Sequence, residues 1–135
     1  MEVAAALLCD FAQVRDRVLF VVAGGVTRLW RQELPAPMAV FLALVIEQDP
    51  LEIGEVHELR VVVLDQDGEQ LAEVVGGFQV EAADVEPGDT VAVPAAVDLR
   101  AVSLPAHGPH DVRVFVDGHH QRTVRFRVTP RPATP

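Results

Sequence analysis

Lysine, asparagine and tyrosine are missing from this 135-residue chain, and isoleucine is confined to Ile46 and Ile53. All four residues use AT-rich codons. The bias is therefore that of a GC-rich genome, as in actinobacteria, and positive charge carried wholly by arginine has no functional meaning by itself. Without lysine, no G-x-x-x-x-G-K-S/T phosphate loop can exist. The single serine, Ser103, has no G-x-S-x-G around it, which removes the nucleophile-elbow hydrolases. One cysteine, Cys9, allows neither an internal disulfide nor a cysteine-cluster zinc site, and fits a reducing cytoplasm. It lies in an apolar stretch, where a thiol acts as a small hydrophobe rather than an activated nucleophile. Positive charge is also scarce: 11 arginines face 20 carboxylates for a net charge of -9. A nucleic-acid-binding domain carries the opposite, basic footprint. The longest apolar run, residues 38–46, falls well short of the ~20 residues of a membrane helix. Residues 3–8 lack a basic leader and are shorter than a signal core of ~7–15 residues, so 3–9 reads as a buried strand.

What is present is valine, proline and glycine at strand-and-turn spacing. Half the residues are hydrophobic, 23% are charged and mean hydropathy is +0.24, which excludes disorder and supplies one core. Candidate strands cover residues 3–9, 18–23, 26–31, 38–46, 58–65, 70–75, 78–82, 90–93, 97–104, 111–117 and 123–129. Gly24-Gly25 reads as a bulge or bend; Asp49-Pro50, Glu86-Pro87-Gly88-Asp89 and His107-Gly108-Pro109 read as loops. Many short strands at this spacing predict an all-β fold: an antiparallel immunoglobulin-like β-sandwich forming a single domain over residues 1–130, with a Pro-rich tail at 131–135.

Two hairpins can be read for register. In the last, Val112, Val114 and Val116 meet Val124, Phe126 and Val128 on one face if Val116 stands opposite Val124. That centres an odd-length loop on His120, excludes a two-residue Asp117-Gly118 turn, and sets Arg113 opposite Arg127 and Phe115 opposite Arg125. In the hairpin over residues 58–75, Asp67-Gly68 suits a two-residue type I′ turn. Val61 and Val63 then share a face with Val74 and Ala72, while Val62 and Leu64 share the other with Glu73 and Leu71. Both faces are largely apolar, as are both faces of 38–46. A sandwich strand normally turns one face to water, so the surplus (Val40, Leu42, Leu44, Val62, Leu64, Leu71) requires cover from another layer, a long loop or another subunit.

Several segments together resemble an uncharacterised family of small bacterial β-sandwich proteins, a domain of unknown function. They are Ala6-Leu7-Leu8-Cys9-Asp10-Phe11-Ala12, then Phe20-Val21-Val22-Ala23-Gly24-Gly25-Val26 with Leu29-Trp30, then Pro37-Met38-Ala39-Val40. His57-Glu58-Leu59-Arg60-Val61 leading to Leu64-Asp65-Gln66-Asp67-Gly68 follows, and the hairpin over 112–128 closes the series. The resemblance implies a fold and carries no activity onto any residue.

Candidate sites are few. His107, His110, His119 and His120 flank the last hairpin, but the intervening strand separates the two pairs by ~20 Å, so they read as loop histidines before they read as metal ligands. Asp65-Gln66-Asp67-Gly68-Glu69 mimics the start of a calcium loop, yet the rest of that motif is missing and a tight turn explains the same residues. A site shared with Asp89 or Glu86 is the alternative. No cofactor and no catalytic residue is expected. Trp30 reads as partly buried core, with an exposed hot spot beside Arg28 and Arg31 as the alternative. The most informative surface is the outer face of the last hairpin, where Arg113, Arg125 and Arg127 gather around Phe115 on an acidic chain. Asp111 or Asp117 would neutralise them; otherwise they form a contact face for an acidic partner. The expected function is thus a non-catalytic binding or assembly module, acting on a protein partner or by self-association, with Val62, Leu64 and Leu71 contributing. No nucleic acid and no membrane is expected as partner. The alternative is a small-ligand or ion site among the loops at 49–54, 84–89 and 107–110.

Overall fold

The computed structural model describes residues 1–81 and 85–130. Eleven strands follow in order: β1 (Glu2–Arg15), β2 (Val18–Gly24), β3 (Arg28–Trp30), β4 (Ala36–Pro37), β5 (Phe41–Gln48), β6 (His57–Leu64), β7 (Gln70–Phe78), β8 (Val91–Asp98), β9 (Ser103–Leu104), β10 (Gly108–Val116) and β11 (His119–Thr129). A single 3₁₀ turn at Pro50–Glu52 interrupts them. The fold is all-β, as expected. A four-stranded sheet runs β2-β1-β5-β8 and a five-stranded sheet runs β3-β11-β10-β6-β7, with β4 and β9 paired separately. Pairing is antiparallel throughout, except that short β3 runs parallel to β11. The Pro-rich tail expected at 131–135 and Asp84 lie outside the described residues, as does the end of the strand expected over 78–82. No helix among the described residues is long and apolar enough to cross a membrane.

One core lies between the sheets. Leu8, Leu42, Leu44 and Ile46 enter it from the four-stranded sheet, and Val61, Val63, Val112, Val114 and Phe126 from the other. Strand alternation puts Phe41 and Ala43 on the opposite face of β5. There they join Cys9 and Ala12 in a second, smaller cluster with Leu7, Leu19 and Ala96. The cover for this face is the chain's own β1–β2 hairpin. Sequence reading stops β1 at Cys9, but the strand runs on to Arg15 and returns as β2 through an Asp16-Arg17 turn, both residues with positive φ. Cys9 and Ala12 are an odd number of residues apart, which a regular strand would place on opposite faces. The ladder passes from Cys9↔Gly24 to Phe11↔Val22, and Ala23 between has φ 53, so the hairpin turns over here and lies across β5 and β8. Phe11 meets the Phe41 ring at 5.1 Å, edge on.

Of the covers the sequence left open, the structure uses the chain's own layers rather than another subunit. Val40, Leu42, Leu44 and Val62 are buried within one chain, and Leu64 and Leu71 are half-buried. Each hairpin contains a bulge: over 58–75 the expected pairs Val61↔Val74, Val62↔Glu73 and Val63↔Ala72 form and only the turn end departs, whereas the last hairpin takes a different register. At the end of β6 the loop is Gln66-Asp67-Gly68, with Gly68 at φ 81 and Asp65 bonding Glu69 across it. The ladder then shifts, so Leu64 pairs with Gln70 and Leu71 turns to the main core instead of sharing the outer face with Val62.

Candidate contact surface

The second bulge builds the most distinctive surface of the molecule. β10 and β11 are joined by a two-residue Asp117-Gly118 turn with φ 50 and 79, the type I′ geometry that matches strand twist. Such a turn alone would set Val114 opposite Gln121 and Val112 opposite Thr123, mixing the apolar face of β10 with the polar face of β11. The register shifts between Val114 and Phe115, from Val114↔Arg122 to Phe115↔His120, leaving Gln121 as the extra residue. Beyond it Val112 meets Val124, His110 meets Phe126 and Gly108 meets Val128, so the apolar faces coincide without an odd-length loop. Arg113 consequently stands opposite Thr123, not Arg127, and Arg125 stands opposite Asp111, not Phe115.

Cross-strand neighbours share a face, so the ladders assemble the outer surface of the five-stranded sheet. Arg28 of β3 lies beside Arg127 of β11. Arg125 lies beside Asp111, and that beside Leu64. Arg113 neighbours Val62, which neighbours Glu73; Phe115 neighbours Arg60, which neighbours Val75. The guanidinium of Arg60 stacks 4.3 Å from the Phe115 ring centre and pairs with Glu73 at 3.5 Å. Asp111 serves two cations at once, Arg113 at 3.7 Å and Arg125 at 3.8 Å. These are long, exposed pairs that neutralise part of the face and add little stability. Five arginines against Asp111, Glu73 and Glu58, which stands in phase with Arg60 on β6, leave two in excess, on a chain of net charge -9. A shallow depression of about 250 Å³ opens among Arg113, Phe115, His120, Thr123 and Arg125, floored by Asp111.

Of the residues singled out from sequence, Arg113, Phe115, Arg125, Arg127, Val62 and Leu64 share this face; Leu71 does not. Trp30 is 45% exposed, with Arg28 stacked 5.5 Å over it, at the same sheet's β3 edge. Arg60 and Arg28 are additions. Alternation along β6 puts Arg60 in phase with Val62, a signal present in the sequence once β6 is placed beside β10.

The histidines divide by position. His107 contacts the Arg31 carbonyl at 2.8 Å. His110 is buried, stacks on Phe126 at 5.2 Å and bonds the Gly108 carbonyl at 2.9 Å. His119 and His120 are exposed beside the turn, His120 bonding Thr123 at 2.8 Å. Among the described residues, no group of three or more His, Cys, Asp or Glu side chains comes together around a point that could hold an ion. Asp65, read as a possible calcium ligand, instead accepts hydrogen bonds from the backbone N–H groups of Asp67 and Glu69, both at 2.9 Å. The loops at 50–53 and 85–88 do meet in a depression of about 250 Å³, which His107 and His110 do not line. Burial raises the Cys9 thiol pKa, so it stays protonated and unreactive.

Sequence reasoning passed over His57. Its Nδ1–H donates to Asp117 at 2.7 Å and its Nε2–H to the Glu52 carbonyl at 3.0 Å. Two acceptors require two donors, so the buried ring is an imidazolium. Burial works against that charge, but the bonds to Glu52 and Asp117 outweigh it and the pKa is raised. The same bond, together with the Glu58 N–H on its other oxygen, holds Asp117 below the usual carboxylate range. The pair fastens the turn that carries the arginine hairpin to the start of β6.

No curated protein matches the chain. Residues 4–129 match the family of unknown function DUF6941, and the chain belongs to that family.

Proposed function

We propose that this chain is a non-catalytic contact module, in which the outer face of the five-stranded sheet docks an acidic segment of a protein partner. One observation carries the reading: five arginines gathered on a single sheet face, two more than the carboxylates beside them, on a strongly acidic chain. A local field opposite in sign to the net charge selects its partner by steering and by rejection of basic surfaces. Arginine beside an aromatic ring is also the side-chain combination enriched at binding hot spots, and Arg60 over Phe115 holds one guanidinium ready-placed. Asp111 between Arg113 and Arg125 keeps the face soluble and can give up both cations to an incoming carboxylate. We read the two facing sheets as immunoglobulin-like in kind, and the lone buried thiol as that of a cytoplasmic protein of GC-rich, actinobacterial type.

The test uses a glutamate-rich peptide bearing one aromatic residue, with Trp30 fluorescence as the signal. The wild type binds it in a salt-sensitive manner, and Arg113→Glu/Arg125→Glu binds at least tenfold more weakly with unchanged folding. No preference for the acidic peptide over a neutral one of the same length, or equal binding by the double variant, contradicts the reading. A second reading rests on the depression between the loops at 50–53 and 85–88: a small ligand there would raise the melting temperature without any change of mass.

A further inference from the structure

Strand β2 is an edge, paired only with β1 among the described residues, and its seven residues Val18–Gly24 carry no charge. Edge strands are normally blunted by lysine, proline, a bulge or a covering loop, because their open N–H and C=O groups template another strand. Among the described residues, none of these devices is present between Val18 and Val22. Instead Val18, Phe20 and Val22 stand 54%, 51% and 57% exposed, with Phe11 beside Val22 at 42%. The hairpin covers the rest of the sheet with one face and offers this row on the other.

We propose that β2 pairs antiparallel with β2 of a second copy of this chain, about a twofold axis at Phe20. The register follows from the turn. In a two-residue hairpin the flanking pair, Arg15 and Val18, exchanges hydrogen bonds, so alternation directs the N–H and C=O of Leu19 and Val21 to the open edge. Those groups are satisfied when Leu19 of one copy faces Val21 of the other. That register sets Phe20 against Phe20 and Val18 against Val22, joining the two apolar rows on one face. The seam is uncharged along Val18–Gly24, so the net charge of -9 does not oppose it locally. The inference stands on a different sheet from the arginine face and does not depend on it.

Sedimentation of the full chain over a concentration series up to millimolar tests this. The wild type passes from 14.7 kDa to twice that mass. Val21→Pro removes an N–H that points only to the open edge, so the β1–β2 ladder keeps its bonds. Phe20→Lys places a charge on an exposed position at the axis. Each variant weakens association at least tenfold, and Phe20→Lys keeps the wild-type circular dichroism even if Val21→Pro perturbs folding. A wild type that remains at 14.7 kDa throughout, or a dimer that survives Phe20→Lys undiminished, overturns the proposal.

Discussion

The two sheets solve the same problem in opposite ways. Each has one face in the common core and one left over. On the four-stranded sheet the leftover face is apolar, with Phe41, Ala43 and Cys9, and the chain folds its own first hairpin across it. On the five-stranded sheet the leftover face carries Arg28, Arg60, Arg113, Arg125 and Arg127, and no strand among the described residues crosses it. An apolar face needs a cover because exposed oil-like surface costs free energy, at roughly 25 cal/mol per Å². A charged face does not, and can remain open for a partner. The lesson is that apolar surplus in a sequence marks where a chain covers itself as readily as where it meets another molecule.

The comparison breaks first on energetics. Leu44→Ala, in the main core, lowers unfolding free energy by ~2–5 kcal/mol. Phe41→Ala, on the other face of the same strand, costs about 3 kcal/mol if the hairpin is a true cover, because it empties a packed site. Chemical denaturation separates this from the alternative: a loss below about 0.5 kcal/mol would mark Phe41 as a surface residue and the hairpin as a loose flap.

A smaller effect sharpens the picture on the other sheet. The His57 pKa is raised above its ordinary 6.5, so the stability it contributes is full below that value and is lost as pH climbs through the raised pKa. The Asp117 pKa is lowered from 3.8, so its contribution is present above that value and is lost as pH falls through the lowered pKa. Between the two the turn is fastened. Asp117→Asn lowers stability at pH 6 by about 1–3 kcal/mol and flattens the decline on the alkaline side. An alkaline limb as steep in the variant as in the wild type would show that His57 does not titrate through this pair.

Much of this was legible in the sequence. Alternating valines in β10 and phased Phe126 and Val128 specify an inward face, and what alternates with them is Arg113, Arg125 and Arg127. Asp67-Gly68 locates the β6–β7 hairpin, although its loop has three residues, whereas Asp117-Gly118, set aside in the sequence for an odd-length loop, is the turn between β10 and β11. What could not be read were the bulges, because one extra residue such as Gln121 or Leu71 leaves composition unchanged yet reverses which side chains face which. The extent of β1 was hidden as well: Asp10, Gln13 and Arg15 look like a loop until the hairpin is seen to keep one face to water. His57 and Asp117 lie 60 residues apart, and nothing local in either segment points to the other. Arg60 and Arg28 belong to the arginine face only through strand order, which pairs β6 with β10 and β3 with β11.

The most direct test of the central claim, that one outer face is closed by the chain itself and the other is open to a partner, is the labelling rate of two engineered thiols. In a Cys9→Ala background, Ala43→Cys lies beneath the hairpin and Thr123→Cys lies among the arginines. The account predicts that Ala43→Cys reacts roughly a hundredfold or more slowly than Thr123→Cys, because it waits for the hairpin to open. It further predicts that the glutamate-rich peptide slows Thr123→Cys and leaves Ala43→Cys unchanged. Similar rates at the two positions, or a Thr123→Cys rate indifferent to the peptide, would contradict it.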